Sequence, residues 1–347
     1  MAREIYDTAT LLEVMEEQDS PANYWLDLLF PNELNFDDEY VDFEKIPRAG
    51  RKLAPFVAPL AQGRPIYEEG STVGRFKPAY VKPKDPVTPT RVIARRPGEI
   101  LSRSPKSPDE RRDAIIADIT AYHRRAIERR WEWLAAQASL YGAVTIAGED
   151  YPTRVVDFGR AAGHSITLGV AARWGDSGVS IVDNIQTWME TMQAAPFGGT
   201  PTRITMGTSA WAKVRKDAEV KEFLDTTYRG SDDVNIKRGL TTPGEVRYVG
   251  SLGAGIPVYV YSDWYTVNGS SVPFMDPRDV LLSGPNVDGY RCFGAILDPH
   301  ADYQALSIYA RNWINNDDPA IEFVMSQSAP LMVPLNPNAT LRARVVG

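Results

Sequence analysis

The 347-residue sequence predicts an α+β fold, and three observations predict it. One long, capped helical pattern lies between Ser107 and Gly142, β-type stretches flank it on both sides, and helices and strands follow one another without the regular alternation of a doubly wound sheet. The length allows one or two compact regions, each with its own core. With 43% hydrophobic and 24% charged residues, the composition is that of a globular protein rather than a disordered one.

Composition also excludes functions. No apolar run approaches the roughly 20 residues that span a bilayer. The start MAREIYDTATLLEVMEEQDS is too acidic and polar for a signal peptide, so a product of the cytoplasm is expected. The one cysteine, Cys292, has no partner for an intrachain disulfide or a Cys-based zinc site, and reads as a small buried apolar residue. A net charge of -7 speaks against a protein whose main task is gripping nucleic acid, because that grip comes from clustered Lys and Arg displacing counterions.

Residues 1–37 read as an arm, with a short helical pattern over Thr10–Glu17 and an aromatic and apolar cluster over Tyr24–Phe30 that Pro31 stops. Such an arm has no core of its own. Trp25, Leu29 and Phe30 are expected to dock on a neighbouring subunit, with the chain's own body as the alternative. Residues 38–98 open with two short strands between Tyr40 and Val57 and then change character. The stretch 61–98 is rich in Pro, Gly and charge, yet keeps β-type segments at Gly74–Val81 and Thr90–Ile93. This predicts a long hairpin reaching off the body, its prolines blocking further pairing along an exposed edge. A two-stranded hairpin is marginal in water, so it needs a partner surface. A plain surface loop is the alternative.

The helix start is legible in Ser107-Pro108-Asp109-Glu110: Ser107 caps the free amides, Pro108 suits the first turn and Glu110 closes a capping box. Ile115, Ile119, Tyr122 and Ala126, with Ile116, His123 and Ile127 beside them, recur at helical spacing, and no Gly or Pro intervenes before Gly142. The helix therefore runs over 108–141, a spine about 50 Å long at 1.5 Å per residue. Arg111, Arg112, Arg124, Arg125, Arg129 and Arg130 read as a solvated face with local pairs to Asp109, Glu128 and Glu132; a face turned to DNA is the alternative.

Beyond Gly142, Ala143–Ile146 and Arg154–Phe158 read as a hairpin. After Gly159 come a helix at Ile181–Ala194, a strand at Arg203–Met206 and a helix from Ser209 into the 220s. Strands follow around Val246, Val258–Tyr261, Val272–Phe274, Val280–Leu282 and Tyr290–Leu297. The β-like tail from Ala305 to Val346 is expected to return to the sheet of the first region.

No pattern carries catalysis. Gly250-Ser251-Leu252-Gly253-Ala254-Gly255 lacks the spacing of a dinucleotide fingerprint, and no phosphate-binding G-x-x-x-x-G-K-[ST] loop occurs. His123, His164 and His300 are far apart and sit in no metal-ligand spacing. Ser209 follows a strand as a nucleophile serine would, but Trp211 stands where the second glycine of that turn is needed, so Thr208 or Ser209 reads as a helix cap. The acidic pairs Asp37-Asp38, Asp232-Asp233 and Asp317-Asp318 read as solvated turns or caps. No catalytic, cofactor-binding or metal site is expected, and an enzyme is not.

Three segments carry a family likeness. They are Phe76-Lys77-Pro78-Ala79-Tyr80-Val81-Lys82-Pro83-Lys84; Thr145-Ile146-Ala147-Gly148-Glu149 through Val156-Asp157-Phe158-Gly159-Arg160; and Arg311-Asn312-Trp313 through Asp318-Pro319-Ala320 to Gln327-Ser328-Ala329-Pro330-Leu331-Met332. With the order arm, hairpin, spine helix, insert and returning strands, the chain resembles the lambda-type major head proteins of tailed bacteriophages, which have the Hong Kong 97-type capsid fold.

The resemblance implies a major capsid protein of the virion, made in the host cytoplasm, that self-assembles into hexamers and pentamers of an icosahedral head around double-stranded DNA without sequence-specific binding. It implies an extended loop over 61–98 lying on the adjacent subunit, a peripheral domain over 99–160 and 305–347, and an axial domain over 161–304. On this reading Tyr67, Glu68, Arg75, Phe76, Lys77, Tyr80, Lys82 and Lys84 join Trp25, Leu29 and Phe30 at the inter-subunit contact. Partners implied are a separate scaffolding protein, the portal and a decoration protein at three-fold sites. A tail-tube or other virion subunit is the first rival, and the long capped helix speaks against it. A soluble hydrolase using an acidic pair is the second.

Overall fold

The computed structural model describes residues 6–16, 23–38, 40–45, 72–94, 107–148, 151–223, 246–252, 255–315 and 320–347. The chain opens with α1 (Thr8–Glu16), α2 (Tyr24–Leu29), β1 (Asn32–Asn35), β2 (Val41–Lys45), β3 (Thr72–Phe76), β4 (Lys84–Val87) and α3 (Pro89–Ile93). The long helix α4 (Pro108–Tyr141) leads into β5 (Ala143–Gly148), β6 (Tyr151–Asp157) and β7 (Ser165–Thr167). Next come α5 (Ile181–Ala194), β8 (Arg203–Met206), α6 (Thr208–Val214), α7 (Ala218–Phe223), β9 (Val246–Leu252) and β10 (Ile256–Tyr261). The rest is strand: β11 (Trp264–Val267), β12 (Ser270–Pro273), β13 (Asp279–Ser283), β14 (Gly289–Phe293), β15 (Tyr309–Asn315), β16 (Ile321–Gln327), β17 (Pro330–Pro334) and β18 (Thr340–Arg344).

The ends of α4 are set locally. Ser107 and Glu110 exchange side chain-to-backbone hydrogen bonds in a capping box, and Gly142 closes the helix in the left-handed region at φ 66°. Between these ends α4 walls two cores. Ile115, Ile116 and Ile119 pack with Leu11 and Met15 of α1, Val87 of β4 and Val324 of β16. Further along, Ile127, Leu134, Ala138 and Leu140 share a larger core with α2, β14 and β17. Tyr122 and Ala126, which spacing assigned to the apolar stripe, lie on the solvent face, Tyr122 being 67% exposed. The buried stripe passes instead through Ile119, His123 and Ile127.

A third core belongs to a six-stranded mixed sheet of order β7-β18-β13-β8-β10-β9. Ile204, Met206, Val258, Val260, Val280 and Leu282 of this sheet meet Ile185, Trp188 and Met192 of α5. The smaller sheets are β1-β14-β17, β15-β16-β4, and the pairs β2-β3, β5-β6 and β11-β12.

Four sequence expectations change. Thr90–Ile93 is helical rather than extended, because Pro89 occupies the first turn of α3, where its fixed φ and missing N–H cost nothing. The helix expected from Ser209 into the 220s is two, since Asp217 accepts the Val220 amide and starts α7 afresh; α6 is capped at Gly207, not by a Thr208 or Ser209 side chain. The hairpin ladder pairs Val41 with Phe76 and Lys45 with Thr72, so its outgoing strand precedes residue 61, while β4 has left the hairpin to pair with β16. Finally, the tail divides. β16 and β17 return to the α4 body, but β18 pairs with β13 and β7 in the six-stranded sheet. Its alternation decides this: Leu341 and Ala343 enter the third core, while Arg342 and Arg344 meet Asp279 on the other face. Conversely β14, from within 161–304, lies in the α4 body between β1 and β17.

One buried ion pair ties α4 to this body. Nε and Nη2 of Arg112 donate to the two carboxylate oxygens of Glu322 on β16 at 2.8 and 2.7 Å, and Asn312 of β15 donates to the same carboxylate at 3.1 Å. Arg112→Ala leaves Glu322 charged, buried and short of its partner, so denaturant melts are expected to show a loss of about 3–5 kcal/mol. The paired apolar replacement Arg112→Met with Glu322→Leu is expected to lose markedly less, which a double-mutant cycle reads directly.

Candidate functional site

The residues expected at an inter-subunit contact separate into two groups. Trp25, Leu29 and Phe30 do not face outward: all three are buried in the larger core of the chain's own body, with Leu26 beside them. The arm reading fails here because two charged side chains, distant in sequence, hold the six-residue α2 at both ends. At the N-terminal end, Glu132 of α4 accepts the Tyr24, Trp25 and Leu26 amides at 3.0, 2.9 and 2.9 Å. At the other end, Arg291 of β14 donates to the carbonyls of Phe30 (2.7 Å) and Leu26 (3.3 Å) and pairs with Asp27 at 2.8 Å. A carboxylate at the N-terminus and a guanidinium at the C-terminus satisfy the free backbone groups and match the helix dipole. Asn23, at the cap position, contributes no side-chain bond.

This seat is tight. A side chain on Gly289 would fall 2.1 Å from the Leu29 carbonyl oxygen, so β14 can approach α2 only with glycine there. Trp25 lies edge-on to Tyr261 at 5.2 Å, and Tyr24 stacks on Tyr261 at 5.1 Å, joining α2 to β10.

The second group surrounds the root of the β2–β3 ladder. Arg75 faces out, pairs with Asp38 at 3.5 Å and covers the Tyr40 ring at 4.5 Å. That exposed pair contributes little stability. Lys77 lies over the same ring at 5.9 Å. Phe76 turns inward against Phe158, with ring centroids 5.9 Å apart, and Tyr80 donates its hydroxyl hydrogen to the Ala295 carbonyl, so both anchor the root to this chain's own body. Lys82 and Lys84 are both exposed, and Lys84 lies on β4 with its ammonium 4.0 Å from the Phe323 ring centroid. Tyr67 and Glu68, like the strand expected within 53–60, lie outside the described residues. Among the described residues the β2–β3 ladder is a two-stranded sheet with no third strand.

The arginines of α4 are partly committed: Arg124 pairs with Glu128 at 2.8 Å, and Arg129 with Asp263 at 2.6 Å. Glu132, expected as a local partner for them, holds α2 instead. His123 is fully buried, with its ring nitrogens 3.2 Å from Ser326 Oγ and 2.9 Å from Asp85 Oδ2. These are the residue types of a hydrolytic triad, but Ser326 is completely buried and a substrate has no route to it. The contact clamps β4 and β16 to α4. Burial pushes the Cys292 thiol well above its ordinary value, away from nucleophilic reactivity. Among the described residues no group of three or more His, Cys, Asp or Glu could hold a metal ion, and no helix is long and apolar enough to cross a membrane.

Sequence reasoning missed the role of Glu132, and it missed Arg291 and Asp85 altogether. A signal existed for the first: Glu132 interrupts the apolar run Trp131 to Leu134 on the buried side of α4, and a carboxylate in that position requires donors. Burial raises the Glu132 carboxyl from 4.5 to about 7, against the opposing pull of the three α2 amides. The folded state therefore binds the proton more tightly than the unfolded chain, so this group's contribution to stability falls as pH rises from about 4.5 to about 7. Chemical denaturation of the free subunit at pH 5 and pH 8 is expected to show this loss, on the order of 2–3 kcal/mol. Glu132→Gln, which keeps an acceptor and removes the titration, is expected to flatten the profile by that amount.

Comparison with known proteins adds to this geometry. The family model described as phage major capsid protein E matches residues 7–345. The chain is 32% identical over 341 residues to the major capsid protein of Escherichia phage N15, covering 96% of this chain and 97% of that one. To the major capsid protein of Escherichia phage lambda it is 31% identical, with the same coverage. Among solved structures it is similar to a putative capsid protein of a prophage of E. coli CFT073, with a TM-score of 0.72 and 24% identity over 99% of this chain and all of that one.

Proposed function

The chain belongs to the phage major capsid protein E family, and from that premise we propose that it is the repeating subunit of a phage head shell. Its α+β architecture is the Hong Kong 97-type capsid fold. The observation that carries the function is the extent of the family match, which takes in every described element from α1 to β18. A tail-tube subunit or a hydrolase would not account for it. The role is structural, and the protein resides in the virion.

In this reading the subunit joins hexamers and pentamers of a closed icosahedral shell enclosing double-stranded DNA. The body on α4 is the peripheral part, now including β14 and β17, and the region of the six-stranded sheet is the axial part, now including β18. The β2–β3 ladder with the segment 46–71 between its strands lies across an adjacent copy, with Tyr67 and Glu68 in that segment, Arg75 on β3 and Lys77 and Lys82 just beyond the ladder as contact residues. Trp25, Leu29, Phe30, Phe76, Tyr80 and Lys84 are not, because they serve their own body. The physical support is that an isolated two-stranded ladder is marginal in water and gains order from a surface it did not bring. Many modest contacts closed by symmetry hold a shell together, while a misjoined pair comes apart. A separate scaffolding protein fixes the size of the shell, while closure into shells is a property of the subunit itself; the portal takes one vertex, and a decoration protein occupies three-fold sites. The net charge of -7 suits a container that holds DNA and lets it go.

The register gives a clean test. Lys45 and Thr72 are the last described pair of the ladder, so a two-residue Asn-Gly turn can join them in place of residues 46–71 and keep the described register. The shortened chain is expected to melt within a few degrees of the full chain and to form no closed shells by electron microscopy. Shells of normal size from it would overturn the proposed contact, and dispersed particles or tubes from the full chain would overturn the shell reading itself.

A further inference from the structure

The connection from β14 to β15 is a built loop, held by its own backbone and by a buried carboxylate, that displays two large exposed apolar side chains. Its base is closed twice, by the Ala295–Ala305 bridge and by the Ile296 amide donating to the Gln304 carbonyl at 3.0 Å. Inside, the buried carboxylate of Asp298 accepts the His300 amide (3.0 Å), the Gln327 side-chain amide (3.1 Å) and Arg311 (3.4 Å). Ile296, Ala301 and Tyr309 form a small core beneath it. Such a loop has little freedom left to lose.

What it displays is apolar and strained. Leu297 is 50% exposed and Tyr303 is 56% exposed, one step in from each side of the Ile296–Gln304 closure. Asp302 and Tyr303 both have left-handed backbone, at φ 50° and 56°, a conformation that costs an ordinary residue energy and costs a bulky one most. A fold that needed only a turn here would be relieved by glycine at 303. Strain retained under an exposed aromatic side chain points to what the side chain does rather than to what the backbone needs. Tyrosine is enriched at protein interfaces, and an anchor already fixed in place loses little entropy on binding.

Position supplies the partner. The loop base is tied to the root of the β2–β3 ladder, since Ala295 receives the Tyr80 hydroxyl at its carbonyl and donates its amide to the Asp38 carbonyl. It therefore adjoins the surface that lies between subunits on the proposed reading, on which this inference rests. We propose that the 295–305 loop is a preorganised inter-subunit anchor, with Tyr303 and Leu297 inserting against a second copy of this chain.

The test uses the full chain alone, with no other protein present. Tyr303→Gly removes the ring and the strain together, so a merely structural turn would leave assembly untouched. The anchor reading expects an unchanged or higher melting temperature for the free subunit and about a tenfold rise in the critical concentration for shell formation. Leu297→Ser, which alters no backbone constraint, is expected to raise that concentration several-fold. Tyr303 is also expected to lose reactivity to surface-labelling reagents on passing from subunit to shell. Both variants assembling at the full-chain concentration, or Tyr303 labelled equally in shells, would overturn the anchor while leaving the shell reading intact. An unmodified chain that forms no shells at all would sink the shell reading, and the anchor with it.

Discussion

Everything in this subunit depends on how α4 is seated. A 34-residue helix is about three times the usual length, and here it walls one core with its first half and another with its second. The element that completes the larger core is α2, six residues long, too short to hold a helical shape by its own hydrogen bonds. Glu132 and Arg291 supply what it lacks, one at each end, and so place Trp25 and Leu26 in the core. A buried carboxylate is costly, and the raised Glu132 pKa records that cost. The same bonds turn an apparent arm into part of the body.

With α2 accounted for, the apolar segment Tyr24–Phe30 is satisfied within the body itself. The segment left over is the β2–β3 ladder, rooted by Phe76 and Tyr80 and paired, among the described residues, only with itself. This division of labour fits a subunit that folds first and assembles afterwards. The core sets the geometry of the root, and in the proposed reading the extended part takes its order from another copy. The β14–β15 loop follows the same logic on a smaller scale, with a rigid base turning its exposed residues outward.

Much of this is legible in the chain where the determinants are local. The capping box at Ser107 and the glycine at 142 bound α4 to the residue, and the apolar spacing bounds α5 equally well. The strand Arg203–Met206 is likewise found as expected. Errors fall where a distant partner decides. Tyr24–Phe30 looks like an unsatisfied apolar segment until Glu132 and Arg291, more than 100 and 260 positions away, are brought to it. The Arg342 and Arg344 alternation fits any sheet with one polar face, and only Asp279 identifies which. The prolines around residues 83–89 suggest one long hairpin, whereas Pro83 precedes β4, Pro86 lies within it and Pro89 starts α3. The family likeness supplies the capsid fold, but it does not locate the boundary between body and insert, because that boundary is drawn by strand pairing.

On the proposed reading the α4 body is ordered in the single subunit, while the outer part of the ladder is ordered by a neighbour. Hydrogen–deuterium exchange on the free subunit and on purified shells measures both at once. Amides of α2, α4 and β14 are expected to be protected in either state, and those of Phe43–Lys45 and Thr72–Gly74, beyond the rooted residues Val41 and Phe76, to exchange fast in the subunit and slowly in the shell. Equal protection of these ladder amides in the free subunit would contradict that reading.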